Sequence, residues 1–110
     1  MIERELNYKL NNTIMQFLLI AYDGTTPDAL DRRLRVRQEH LESIARFKKN
    51  GEFIFGGAIL DEKGKMIGSA IVYNFPDRAT LDERLDEEPY ITEGVWQKIE
   101  IMPFKLANID

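Results

Sequence analysis

The chain has 110 residues, 44% of them hydrophobic, with 15 Lys and Arg against 19 Asp and Glu, a net charge of −4 and no cysteine. That length makes one domain rather than two, and the missing thiols exclude disulfides, thiolate nucleophiles and Cys-based metal sites, while one histidine excludes a His-rich metal site. An acidic balance without a basic run argues against nucleic acid as a partner; with no apolar run that could span a bilayer or direct export, a soluble cytoplasmic protein is expected, without membrane association.

Residues 1–14 mix charges with scattered apolar side chains and read as a polar N-terminal arm, leaving 15–110 as the single domain. Met15 to Tyr22 is a short apolar run rich in strand formers, closed by Asp23-Gly24, and reads as a buried central strand. A helix is expected over most of 27–50, with Thr26 as N-cap, Pro27 at the first helical position and Gly51 beyond its end. Glu52 to Leu60 and Met66 to Phe75, joined by a turn over 61–65, form a hairpin, with Gly56-Gly57 marking a bulge or a close backbone approach. Asp77 caps a second helix to about Asp86, with Leu81 and Leu85 on its inner side; Pro89 opens a short helical turn ended by Gly94. Val95 to Met102 alternates as a last strand, and Pro103 is expected to stop further pairing.

This order is that of an α+β, ferredoxin-like βαββαβ fold, a four-stranded antiparallel sheet with both helices on one face. In the first strand Phe17, Leu19 and Ala21 point one way and Leu18, Ile20 and Tyr22 the other, so both faces are apolar. Helices cover only one. A second copy packed sheet against sheet accounts most simply for the other, with the N-terminal arm as an alternative cover for part of it, and a homodimer is expected.

On the long helix, about 100° per residue places Leu30, Leu34, Leu41, Ile44 and Ala45 in one stripe, which reads as its core face. Arg37 falls inside that stripe and His40 at its edge, one turn from Val36 and two from Arg33. A guanidinium on a core face needs a carboxylate, carbonyls or a cavity holding an anionic ligand, and the simplest answer is a structural acid with the head group reaching water. The acidic run through Asp82, Glu83, Asp86, Glu87 and Glu88 reads as a solvated helix face, and no metal is expected.

Taken together, Phe17 to Gly24, the helix segment Arg32-Arg-Leu-Arg-Val-Arg-Gln-Glu-His-Leu41, Gly56-Gly57, Gly68-Ser69, Glu88-Pro-Tyr-Ile-Thr-Glu-Gly-Val95 and Pro103-Phe104 resemble the YCII-related (YciI-like) proteins, from Met15 to about Ala107. The resemblance implies ferredoxin-like subunits paired as a dimeric α/β barrel, each with a pocket between sheet and helices. It also implies a histidine and an aspartate acting as an acid/base dyad, one relative removing chloride from a chlorinated aromatic diol. The histidine here is His40. The aspartate of the family's Asp-Pro-Tyr segment is replaced by Glu88, which carries its carboxylate one methylene further out and is expected to cap the following turn less well. On this reading His40 and Glu88 are catalytic, and Arg37, Arg33, Ser69, Tyr90 and Tyr22 bind a small-molecule substrate, with no cofactor. The alternative is a non-catalytic homodimer that binds a small ligand in the same pocket or serves as an accessory partner.

Overall fold

The computed structural model of the chain describes residues 14–109, so all but the last residue of the expected N-terminal arm lies outside the described residues. The elements run β1 (Met15–Asp23), α1 (Ala29–Lys49), β2 (Phe53–Leu60), β3 (Met66–Phe75), α2 (Arg78–Leu85), α3 (Pro89–Thr92) and β4 (Trp96–Phe104). The strands form one antiparallel sheet in the order β2-β3-β1-β4. This is the expected ferredoxin-like α+β arrangement, with β1 central because it is apolar on both faces.

Period-2 alternation decides what the sheet buries. Phe17, Leu19 and Ala21 of β1 lie on the helix-covered face opposite Tyr73, Ile71 and Ser69 of β3, with Asp23 the next inward side chain along β1. The core joins these to Val36 and Phe47 of α1, Leu81 and Leu85 of α2, and Tyr90, Val95 and Trp96. Leu18, Ile20, Tyr22, Phe55, Ile59, Val72, Met102 and Phe104 share the opposite face, which no helix among the described residues covers. None of the helices among the described residues is long and apolar enough to cross a membrane.

Several local expectations are corrected. Helix α1 begins at Ala29, two residues late, because Thr26-Pro27-Asp28 closes a preceding turn: Ala29 N–H donates to the Thr26 carbonyl at 3.0 Å, and the Thr26 hydroxyl is spent on Asp28 Oδ1 at 2.6 Å. Strand β4 runs on through Pro103 to Phe104, which is tolerated because β4 is an edge strand and needs no donor on its outer side. Of the two readings of the glycine pair, the bulge falls outside it: β2 is irregular between Phe53 and Phe55 and again between Ile59 and Leu60, while Gly56 and Gly57 stay in register with Ile71 and Ala70.

The largest correction concerns the face of α1. Its buried residues are Arg33, Val36, His40, Ser43 and Phe47, a stripe rotated by roughly a third of a turn from the leucine-rich one. Leu34 is 51% exposed and Leu41 40%, and Arg37 is exposed with them. The helix turns a partly polar face inward because the sheet offers polar partners there.

Candidate active site

Those partners lie where the C-terminal end of β1, the middle of β3 and the short turn α3 meet α1. Asp23 occupies the last inward position of β1, and its carboxylate accepts from Arg33 Nη1 at 2.9 and 3.1 Å. Burial pushes the Asp23 carboxyl up from its ordinary value, and the Arg33 guanidinium offsets only part of that. Arg33 Nη2 donates to Ser69 Oγ at 2.8 Å, and Trp96 Nε1 donates to the same oxygen at 3.1 Å. The Arg33 guanidinium also lies 4.8 Å from the centre of the Tyr90 ring.

Two turns along α1, His40 Nδ1 lies 2.8 Å from Glu88 Oε2. Glu88 is fully buried, and the same oxygen accepts the backbone N–H of Tyr90 at 2.9 Å. The carboxylate therefore caps α3 and orients the imidazole at once, so the extra methylene of glutamate does not prevent capping. An ionised carboxylate can only accept, so a Glu88 carboxylate at this distance takes its hydrogen bond from His40 and leaves the imidazole proton on Nδ1. The imidazole stacks on Tyr90 with ring centres 3.9 Å apart and planes inclined by 10°, and Trp96 meets it edge-on at 6.0 Å. Burial raises the Tyr90 hydroxyl above its usual range, with Arg33 and Arg37 opposing.

Nδ1 is thus fixed, whereas Nε2 has no hydrogen-bond partner among the described residues and is absent from the fully enclosed polar atoms left unpaired. It faces a recess of about 160 Å³ walled by His40, Ser69 and Tyr90, with apolar sides from Leu41, Ile44 and Phe53. An apolar cavity of about 150 Å³ admits a benzene ring, so a ligand portion of one small ring fits. Arg37 and the β2 backbone at Gly56-Gly57 also border it. Gly56 is the close approach expected of the pair: a Cβ there would stand 2.8 Å from the Ala70 carbonyl oxygen, while at Gly57 it would meet nothing within 4 Å.

The structure brings His40, Glu88, Arg33, Arg37, Ser69 and Tyr90 to one place. Both terminal nitrogens of Arg33 are committed to Asp23 and Ser69, so Arg33 shapes the wall, and Arg37 is the guanidinium left at the mouth. Tyr22 is not part of the site: it is 40% exposed, points to the open sheet face and borders a separate recess with Thr25, Leu30 and Lys65. Sequence reasoning passed over Asp23, read as a turn residue, and Trp96, read only as part of a strand. The signal for Asp23 was its parity with Phe17, Leu19 and Ala21, which makes it the next inward side chain.

A YCII-related domain model matches residues 15–105. An uncharacterized Haemophilus influenzae protein is 27% identical over 97 residues, spanning 83% of this chain and 97% of its own. Protein YciI of Escherichia coli is 26% identical over 94 residues, spanning 80% and 96%. Among solved structures, the 5-chloro-2-hydroxyhydroquinone dehydrochlorinase TftG of Burkholderia phenoliruptrix, in complex with 2,5-dihydroxybenzoquinone, superposes with a TM-score of 0.72 at 19% identity, covering 84% of this chain and 96% of that one. With its motifs in order and the family model matched along nearly the whole described length, the chain belongs to the YCII-related domain family.

Proposed function

We propose that the protein is a homodimeric acid/base enzyme of lyase or isomerase type, acting on a small oxygenated metabolite with His40 as the proton-transferring group. The observation that carries this reading is the division of labour on one imidazole: Nδ1 is held by Glu88 at 2.8 Å, and Nε2 opens on a recess sized for one ring. With its proton on Nδ1, the imidazole presents a lone pair at Nε2 to a substrate C–H or O–H. As Nε2 takes that proton, Glu88 stabilises the imidazolium, and the proton is available for return to the product. Arg37 at the mouth supplies a fixed positive charge for an anionic substrate group. That the structurally similar TftG is a dehydrochlorinase crystallised with a dihydroxylated quinone supports an elimination or isomerisation on a hydroxylated ring or its open-chain equivalent.

Dimerisation follows from the uncovered sheet face. Phe55, Tyr22 and Phe104 are 51%, 40% and 36% exposed there beside Leu18, Ile20 and Met102. A largely apolar face of this kind, bordered on β4 by Lys98 and Glu100, is covered most simply by its own copy about a twofold axis.

The test is a thermal-shift screen of small hydroxylated and carboxylated metabolites on the parent, His40→Ala and Glu88→Ala proteins, followed by incubation of the hits in deuterium oxide. A ligand of this site stabilises the parent, loses most of that stabilisation in one variant, and exchanges or eliminates a proton only with the parent. Equal shifts in all three proteins, with no His40-dependent exchange, would refute the assignment.

A further inference from the structure

Ser69 Oγ accepts two hydrogen bonds, from Arg33 Nη2 at 2.8 Å and from Trp96 Nε1 at 3.1 Å. A hydroxyl has two acceptor sites and one donor. Both acceptor sites are therefore filled by groups that can only donate, since neither guanidinium nor indole N–H accepts. The Ser69 proton is left over. Among the described residues it has no acceptor, although Ser69 is 2% exposed and its side chain borders the recess that holds His40.

From this we infer that Ser69 is an obligate hydrogen-bond donor to the ligand, an oxyanion-stabilising catalytic residue, and that the substrate is an enolisable carbonyl compound or phenol presenting an acceptor oxygen to it. The inference rests on the acid/base reading of His40 and adds the destination of the charge. When His40 Nε2 takes the α-proton, the C–H electron pair forms the C=C bond of the enolate and the carbonyl π pair moves onto oxygen. The Ser69 O–H meets that oxygen. Where the enolate is conjugated to a further C=C, reprotonation by His40 at the far carbon of that system gives isomerisation; return of the oxygen pair to C=O, with the enolate π pair forming Cα=Cβ and an anionic group leaving the β-carbon with its bonding pair, gives elimination. No oxidant or reductant enters either course. Arg33 behind the hydroxyl makes it a better donor, because a hydroxyl accepting from a cation is polarised toward giving up its own proton. The buried Asp23–Arg33 pair holds that cation in place, so the donor is aimed before the substrate arrives.

An acceptor-only ligand must then outcompete one that needs to donate at the same place. The probe is 4-nitrophenol, whose visible absorption reports its ionisation, compared with 4-nitroanisole, which cannot ionise. Titration across pH with the parent protein is expected to show phenolate bound in preference to phenol by about tenfold or more, a hydrogen bond to a charged acceptor being worth about 1.5–3 kcal/mol. Ser69→Ala, checked for folding by circular dichroism, loses most of that preference. Because Ser69→Ala strands two buried donors, Trp96→Phe serves as the second variant: it frees one Ser69 lone pair, lets the hydroxyl accept from neutral phenol, and narrows the preference while the serine remains. Failure of the parent to bind 4-nitrophenol, equal affinity for phenolate and phenol, or a preference unchanged in the folded variants overturns the proposal. His40→Ala separates the two claims. Phenolate preference retained in that variant supports the Ser69 donor whether or not His40-dependent exchange is found in the parent, whereas exchange without phenolate preference leaves the dyad standing and removes the donor.

Discussion

His40 Nδ1 and Glu88 Oε2 lie 2.8 Å apart across 48 residues of sequence, tying the middle of α1 to the first residue before α3. The oxygen that orients the imidazole also caps the turn, so its two roles separate by mutation. Glu88→Gln retains a carbonyl acceptor for Tyr90 N–H and for Nδ1–H but removes the charge that stabilises an imidazolium. It is expected to keep the parent's melting temperature within a few degrees and to lower turnover by roughly a hundredfold or more. Glu88→Ala loses the cap as well, costing about 1–2 kcal/mol of stability. With one histidine in the chain, a long-range 15N spectrum reads the tautomer without assignment: the Nδ1–H form in the parent, a mixture in Glu88→Ala.

Helix α1 gives a second prediction, which runs against its amphipathic pattern. Leu34→Gln replaces a side chain that is half exposed and is expected to change stability by no more than about 0.5 kcal/mol. Phe47→Ala, removing a ring packed against Tyr73 and Phe75 at 5.9 and 6.2 Å, is expected to cost about 3–5 kcal/mol. Chemical denaturation of the two variants checks the pair; a larger loss for Leu34→Gln would mean that the leucine stripe is covered by something beyond this chain.

That helix also shows how far the sequence could be read. The order of elements, the hairpin, the Asp77 cap and the division of β1 into two apolar faces were legible because local rules act there: period 2, capping chemistry, turn residues. Asp77 Oδ1 accepts from Thr80 N–H at 2.8 Å as the capping rule requires. The inward face of α1 was not legible, since its polar members are paid for by residues distant in sequence. Arg33 is buried because Asp23 and Ser69 receive it, and His40 because Glu88 does. Hydrophobicity alone ranks Arg33 and His40 below Leu34 and Leu41; only the tertiary partners reverse the order. The family motif picked out His40 and Glu88, whereas Trp96, which holds Ser69, carries no local mark and Asp23, which holds Arg33, only its parity in β1.

The open sheet face supplies a third prediction. Ile20 lies at its centre on β1, opposite Ala70 of β3 and Glu100 of β4. Ile20→Lys places a charge in the middle of a sheet-to-sheet interface but leaves it at the surface of a lone subunit. Sedimentation velocity is expected to show a dimeric parent and a largely monomeric variant with unchanged far-ultraviolet circular dichroism. A monomeric parent would remove the sheet-packed dimer.

Acid stability follows from carboxyls whose ionised forms are held in the native state. Hydrogen bonds from the Thr80 hydroxyl and then its backbone N–H lower the Asp77 carboxyl, and backbone N–H groups of Lys65 and Lys63 lower that of Asp61. A lowered native value means the unfolded chain binds protons first, so this stability is present above the ordinary aspartate value and is lost as pH falls through the lowered one. Asp23 acts in the opposite sense, its carboxyl being raised by burial. Thermal melts between pH 5 and pH 2 should therefore show a steeper acid loss for the parent than for Asp61→Asn or Asp77→Asn. Parallel curves would mean that these capping carboxylates do not govern the acid limb.

The glycine pair beside the recess provides the last test, because its two members differ in what they would meet. A Cβ at Gly56 would stand 2.8 Å from the Ala70 carbonyl oxygen and 2.9 Å from the Ile71 side chain, so a methyl group there pushes β2 away from β3 and deforms the recess wall. Gly57 has open space where a Cβ would stand, and its backbone conformation is ordinary for any L-residue. Gly56→Ala is expected to destabilise the protein by about 1–3 kcal/mol, as overpacking does, and to weaken ligand binding. Gly57→Ala is expected to be neutral or slightly stabilising, since it only restricts the unfolded chain. Melting temperatures of the two variants, with and without the ligand found by screening, decide the matter: equal effects would mean that β2 yields freely at this edge and that the close approach does not shape the site.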